Sequence, residues 1–248
     1  MSFLKFNDEE HELQIYNPLF NNIRLKNIVR TTECGASKSG NKPKIFCIDG
    51  NIGSGKSTVL DSLANRGYTV FKENLEEWMP ALTLFYDNPK RWMFTLQVGI
   101  VASLRAQYDD IYAKVSKPYI FVERCPLSAL LFVKTGIRNG NLTYEEIDTF
   151  TKLFNQNFWS PDRIFYIDTP VDTCFYRSQV RDRECEKSIK PKYLQQLNDE
   201  YVNMYRPPHF TDICTIDGSR DVQTITDEIV TYTHHTLLPS LGLAEKAP

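Results

Sequence analysis

The segment Ile48-Asp49-Gly50-Asn51-Ile52-Gly53-Ser54-Gly55-Lys56-Ser57-Thr58 constrains this chain more than any other, because it commits one stretch of backbone to strand, tight loop and helix in succession. Gly50, Gly55, Lys56 and Ser57 meet the spacing G-x-x-x-x-G-K-[ST], in which glycines let backbone N–H groups close around a phosphate. The helix opening near Lys56 aims its partial positive end at the same anion. Lys56 is placed to bridge β- and γ-phosphates, and the Ser57 hydroxyl to ligate magnesium. The context agrees: residues 44–48 read as a buried strand, and 57–66 as a helix with Val59, Leu60 and Leu63 inward.

Further apolar runs at residues 68–71, 119–122, 163–167 and 213–216 read as strands separated by helical patterns. Near-continuous apolarity fits strands covered on both faces, as in a parallel sheet between helices. In such α/β folds ligands sit at the carboxyl ends of strands. Those ends carry Asp49 with the phosphate loop, then Glu73, then Glu123-Arg124, then Asp168. After the fourth run, Thr169 is expected to cap a helix whose first turn holds Pro170, with Thr169 and Asp172 structural. That helix leads to Arg177 and Arg181, one turn apart on one face, and Arg183 just beyond. These arginines are expected to form a closing lid that shields a γ-phosphate and spreads its charge.

With 248 residues, 42% of them apolar and 12% aromatic, the chain can bury one large core. We expect one α/β domain over residues 44–238, a loosely held extension over 1–43 and a frayed end over 239–248. A formal net charge of -2 and the absence of a long basic run give no support for a nucleic-acid groove. No apolar run approaches the ~18 residues of a membrane helix, so no membrane partner is expected. Early acidic residues (Asp8, Glu9, Glu10, Glu12) argue against a mitochondrial presequence, and no signal-peptide core is present. A soluble intracellular protein is expected, in the cytoplasm first, with mitochondrion and nucleus as alternatives. Cys34, Cys47, Cys125, Cys174, Cys185 and Cys214 lie far apart in sequence without a C-x-x-C pair, and read as reduced packing thiols. His11, His209, His234 and His235 form no ligand or triad pattern.

The phosphate loop, Glu73-x-x-x-x-Trp78, Glu123-Arg124 and Arg181-x-Arg183-x-x-Glu186 occur in this order. As an ordered set over roughly residues 44–220, they make the chain resemble the deoxynucleoside kinases: the deoxycytidine, deoxyguanosine and thymidine kinases of animals and, more distantly, herpesviral thymidine kinases. The resemblance implies a P-loop kinase fold with a five-stranded parallel sheet, and transfer of the γ-phosphoryl of ATP, with Mg2+, to the 5′-hydroxyl of a deoxynucleoside. It implies a homodimer as well. Carried over by motif, Glu73 accepts the hydroxyl proton, Arg124 neutralises developing charge and holds Glu73 ionised, and Glu123 faces the magnesium on Ser57. An exchange of roles between Glu73 and Glu123 is the alternative. Gln97 matches the residue that pairs with the base edge, Tyr86 and Glu186 those that hold the sugar 3′-hydroxyl, and Trp78 packs near the base.

Gln97, Ile100 and Leu104 fall at i, i+3 and i+7 on one helix face and so build one wall of a pocket, although Ile100 and Leu104 also suit an ordinary core. Deoxycytidine kinase-like members carry an arginine on this helix and an aspartate after the Glu-Arg pair; the matching positions here are Leu104 and Ala129. Loss of that pair leaves room for a 5-methyl group and points to thymidine first and deoxycytidine second, or broad pyrimidine use. The chain departs from the family at Cys125-Pro126, where animal members have serine after the Glu-Arg pair, at Leu96, which replaces an aromatic, and at Asn74, where many have proline. The aromatic that walls the base falls at Phe132 or Val133. Two competing readings are a nucleoside monophosphate kinase of the thymidylate kinase type, and an inactive kinase-like structural subunit.

Overall fold

The computed structural model describes residues 42–205 and 212–240. The extension expected over 1–43 and the tail expected over 239–248 therefore lie outside the described residues, apart from their innermost positions, as do Cys34, His11 and His209. A parallel sheet of five strands forms the middle layer: β1 (Lys44–Asp49), β2 (Val70–Phe71), β3 (Tyr119–Glu123), β4 (Arg163–Asp168) and β5 (Ile213–Asp217), in the order β2-β3-β1-β4-β5. The first strand lies in the middle, flanked by β3 and β4, so the strand order reverses at its carboxyl end. That crevice is where an open α/β sheet takes its ligand.

Alternation along each strand feeds two separate cores. Phe46, Ile48, Phe121, Phe165, Ile167 and Ile216 face Val59, Leu60 and Leu63 of helix α1 (Lys56–Asn65) and Ile225 and Ile229 of α8 (Val222–Tyr232). Ile45, Cys47, Ile120, Val122, Ile164 and Tyr166 face the other way. There they meet α3 (Pro89–Lys114), α4 (Pro126–Arg138), α5 (Tyr144–Asn157) and α7 (Pro191–Tyr205) through residues such as Val101, Leu130, Phe154 and Leu194. Each such fully buried side chain contributes ~1.5–3 kcal/mol, and coverage of both faces is why the strands read as unbroken apolar runs. A third cluster, Trp78, Leu82, Phe85, Met93, Leu96 and Cys185, ties α2 (Leu75–Asp87) to α3 and to the turn at Glu184–Glu186.

Four of the expected strands gain one residue at their carboxyl ends, so that Asp49, Glu123, Asp168 and Asp217 are held in extended backbone. The remaining strand is shorter than expected: only Val70 and Phe71 pair, at the sheet edge against β3. Tyr68 instead packs edge-on against Phe121 and its hydroxyl meets a ring nitrogen of His234 at 2.9 Å. Among the described residues no helix is long and apolar enough to cross a membrane.

Candidate active site

The loop between β1 and α1 takes its shape from backbone that only glycine tolerates. Gly53 has φ +78°, and a Cβ there would collide with the Cys174 carbonyl of α6 (Val171–Val180). Gly55 caps α1 with φ +103°. The Ser54 carbonyl accepts from Thr169 Oγ1 at 3.0 Å and from Arg177 Nη1 at 3.3 Å, and Arg177 also donates to the Gly218 carbonyl at 3.3 Å. Two sequence expectations change here. Thr169 does not cap α6: Pro170 is the N-cap and the helix opens at Val171, so the threonine lies one residue too early and its hydroxyl holds the phosphate loop. Arg177 closes on the loop itself, while Arg181 and Arg183 turn elsewhere.

Lys56 is buried, lines the cavity and donates from Nζ to the Asn51 carbonyl at 2.7 Å. Burial, then repulsion from Arg124, pulls its ammonium down to about 8, against the opposing pull of Glu123, Glu73 and Asp49. Ile52, Gly53, Gly55, Ser57 and Thr58 line the same cavity. Ser54 is buried, and Asn51 turns away: its Nδ2 donates to the Leu194 carbonyl of α7 at 3.0 Å.

At the end of β3 the backbone makes an unusual turn. Arg124 has φ +63°, the left-handed region, which costs a residue with a Cβ ~1–2 kcal/mol. Consecutive strand residues point to opposite faces, and the left-handed residue breaks that alternation. Glu123 and Arg124 therefore both reach the cavity. Glu123 Oε1 accepts from Ser57 Oγ at 2.8 Å, so a hydroxyl and a carboxylate, both hard oxygen donors, share one point beside the phosphate loop. That donor set fits Mg2+.

The Arg124 side chain spans the site. Its Nε lies 3.1 Å from Glu73 Oε1, and its Nη1 donates to the Gly50 carbonyl at 3.2 Å, to Tyr201 Oη at 2.5 Å and to Asp49 Oδ1 at 3.4 Å. Glu73 is nearly enclosed, and burial raises its carboxyl above the ordinary range. Arg124 opposes that shift and Glu123 adds to it. Arg124 pulls toward the ionised form, as the motif implies, and desolvation is the larger of the two effects.

Beyond this pair the cavity, of about 500 Å³, runs between α2, α3 and α4. It is lined by Trp78, Tyr86, Leu96, Gln97, Ile100, Leu104, Ala129 and Phe132. Gln97 is buried, and its Oε1 has no partner, as expected of an amide awaiting a ligand. The choice between Phe132 and Val133 resolves: Phe132 lines the cavity under the Arg124 guanidinium, 5.0 Å from ring centre to Cζ, while Val133 is core. Glu186 also lines the cavity, but Arg181 pairs with its Oε2 and Arg183 with its Oε1 at 3.3 Å. Both arginines thus engage the carboxylate matched to the sugar hydroxyl.

Sequence spacing missed the buried cluster behind Arg124. Cys47, Asp49 and Cys125 bring ligand atoms within 4.8 Å of one another. Yet Asp49 Oδ1 already accepts from Gly50 N and Tyr201, and Oδ2 from Ser128 and Tyr205 at 2.6 Å each. Burial also pushes the Cys47 thiol well up, which disfavours the thiolate a metal would need there. Tyr193, Tyr201 and Tyr205 form no motif that marks a site, although their spacing of eight and four residues puts them on one face of α7.

The sequence pattern described as Deoxynucleoside kinase matches residues 46–237. A protein of Invertebrate iridescent virus 6 named as a kinase, 143R, is 30% identical over 195 residues, spanning 78% of this chain and 98% of that one. The deoxyguanosine kinase of Bacillus subtilis is 26% identical over 72% of this chain and 88% of its own. Among solved structures, the deoxyadenosine kinase from M. mycoides with dCMP and dCDP bound superimposes with a TM-score of 0.68 at 26% identity, covering 75% of this chain and 97% of that one.

Proposed function

The chain belongs to the deoxynucleoside kinase family, and from that premise we propose that it phosphorylates the 5′-hydroxyl of pyrimidine deoxynucleosides, thymidine first and deoxycytidine second. ATP dependence and a deoxynucleoside acceptor come with the family; base preference and residue roles are this proposal's content. The observation that carries the roles is the reach of Arg124, which touches Glu73 with one nitrogen and the phosphate loop with another. Acceptor base and donor loop are thereby held on one rigid planar group.

In the proposed reaction the 5′-oxygen, hydrogen-bonded to Glu73, attacks the γ-phosphorus while its proton passes to Glu73. The bond from the γ-phosphorus to the bridging oxygen breaks, and ADP leaves. Glu73, raised by burial, accepts that proton better than a free carboxylate would. Phosphoryl transfer depends on position and charge balance more than on covalent chemistry. Arg124 and Lys56 supply that balance at the transferring group, while Arg177 holds the loop and closure of Arg181 and Arg183 over the phosphates requires their release from Glu186. Ser57 and Glu123 would hold Mg2+, which when bound neutralises charge on the β- and γ-oxygens. Because Glu123 is engaged by Ser57 at the metal position while burial raises the Glu73 carboxyl, Glu73 is favoured as the base; Glu123→Gln compared with Glu73→Gln decides between them.

The base preference rests on Leu104 and Ala129, uncharged, buried and lining the cavity. The named relatives include kinases of deoxyguanosine and deoxyadenosine, which favours breadth over strict thymidine use. A panel of four deoxynucleosides with ATP and magnesium tests the reading. Faster turnover of both purines than of thymidine and deoxycytidine overturns the pyrimidine preference. Phosphorylation of thymidine monophosphate but not thymidine overturns the whole, since Glu73 and Glu186 in the pocket would repel a substrate phosphate. We propose a homodimer as well, which light scattering should show as twice the 28.8 kDa chain mass.

A further inference from the structure

Arg124 sits in a strained backbone position at the end of β3, yet its guanidinium must be aimed within a fraction of an ångström to serve both Glu73 and a phosphoryl group. Three acceptors meet its far nitrogen from outside β3, the most distant being Asp49 Oδ1 at 3.4 Å. The Gly50 carbonyl accepts at 3.2 Å, and the Tyr201 hydroxyl, on the helix that follows the lid, accepts at 2.5 Å. Tyr201 then donates its own proton to Asp49 Oδ1 at 3.0 Å. A neutral phenol suits both directions at once, one O–H to give and lone pairs to receive. Burial and the nearby Asp49 keep it neutral by raising its pKa well above the ordinary phenol value. Its ring is fixed by Tyr166, stacked at 5.6 Å with planes 5° apart, and by Tyr205 edge-on at 5.5 Å.

We propose that Tyr201 is a positioning residue for the phosphoryl transfer, relaying the anchor of Asp49 to Arg124 and coupling helix α7 to the orientation of that arginine. The inference rests on the reading of Arg124 as the charge-neutralising group. The same helix also holds the phosphate loop through the Leu194 carbonyl and Asn51, and its Tyr193 lines the cavity. A shift of α7 would therefore be felt at Arg124 and at the loop together. Tyr205 provides the internal comparison, since its hydroxyl reaches Asp49 Oδ2 at 2.6 Å and its hydrogen bond bypasses Arg124.

The test is a pair of tyrosine-to-phenylalanine variants, each keeping its ring. Tyr201→Phe should lower kcat about 10- to 100-fold, with the KM for ATP and for the deoxynucleoside within about threefold of wild type. Tyr205→Phe should match it in thermal destabilisation while keeping kcat within about threefold of wild type. Equal kcat losses in the two variants, or none in Tyr201→Phe, would overturn the proposal and leave only a structural cluster. Adding Tyr201→Phe to Arg124→Ala should cause no further loss, because the relay has nothing left to aim; full additivity overturns it. If Arg124→Ala alone leaves kcat intact, the reading of Arg124 fails instead, which separates the two failures. Asp49→Asn repeats the kcat-against-KM comparison from the other end should Tyr201→Phe fail to fold, and an unchanged kcat there counts against the relay.

Discussion

The two halves of the cavity are built differently. The donor half is one contiguous loop, residues 50–58, whose conformation is set by glycine sterics and by carbonyls that neighbouring side chains cap. The acceptor half is assembled from five places in the sequence: Glu73 before α2, Trp78 and Tyr86 within it, Gln97 and Leu104 on α3, Ala129 and Phe132 on α4, and Glu186 after α6. The first half leaves no room for a Cβ at Gly50 or Gly53 yet is generic to phosphate binding. Side-chain identity matters more in the second, and any specificity resides there. The Arg124 side chain joins the halves, and the chain accepts a left-handed residue to place it there.

The contrast can be broken hardest at the acceptor carboxylate. Glu73→Gln should lower kcat by about 10²- to 10⁴-fold while ATP and nucleoside affinities change little, as steady-state kinetics and calorimetry would show; an affinity loss alone would remove Glu73 from the base role. In wild type, the acid limb of the rate should lie above the ordinary carboxylate range, since burial raises Glu73 and the rate falls as it gains a proton.

A smaller effect is expected from specificity. Leu104→Arg combined with Ala129→Asp should shift the ratio of kcat/KM from thymidine toward deoxycytidine by about 10- to 100-fold, the range that pocket contacts supply. An unchanged ratio would mean that these two positions do not read the base.

The donor half should respond to pH instead. Lys56 lies near 8 in the free protein and loses its charge as pH rises through that value. Bound phosphates favour the ammonium, so ATP affinity should fall by up to about tenfold per pH unit above 8. Titration calorimetry at pH 7 and 9 checks the sign, and nucleoside binding should move less.

Gly55→Ala should give the smallest change, a loss of about 1–2 kcal/mol in thermal or denaturant unfolding from the left-handed strain, since a Cβ there meets only Arg177 Nη1 at 3.6 Å. It should weaken ATP more than nucleoside. The reverse order would deny that the halves are separable.

Much of this was legible beforehand where neighbours in sequence are neighbours in space. The phosphate loop, the strand ends that carry Asp49, Glu73, Glu123 and Asp168, and the parallel sheet all follow from local sterics and apolar runs. Thr169 was misplaced because a cap depends on where a helix opens to within one residue, and Pro170 took the position. The shift of Glu73 could not be read, because desolvation is a property of the surrounding packing.

By itself, then, the sequence determined that a glycine-rich loop joins a buried strand to a helix, and that charged residues stand at the ends of parallel strands. Only the tertiary structure decided that Arg124 turns left-handed to share a cavity with Glu123, that Phe132 rather than Val133 walls it, and that Asp49 and Tyr201 stand behind the arginine. The reason is physical: backbone sterics act over a few adjacent residues, whereas buried hydrogen bonds join groups such as Asp49, Arg124 and Tyr201, which are brought together only when the sheet and helix α7 have packed.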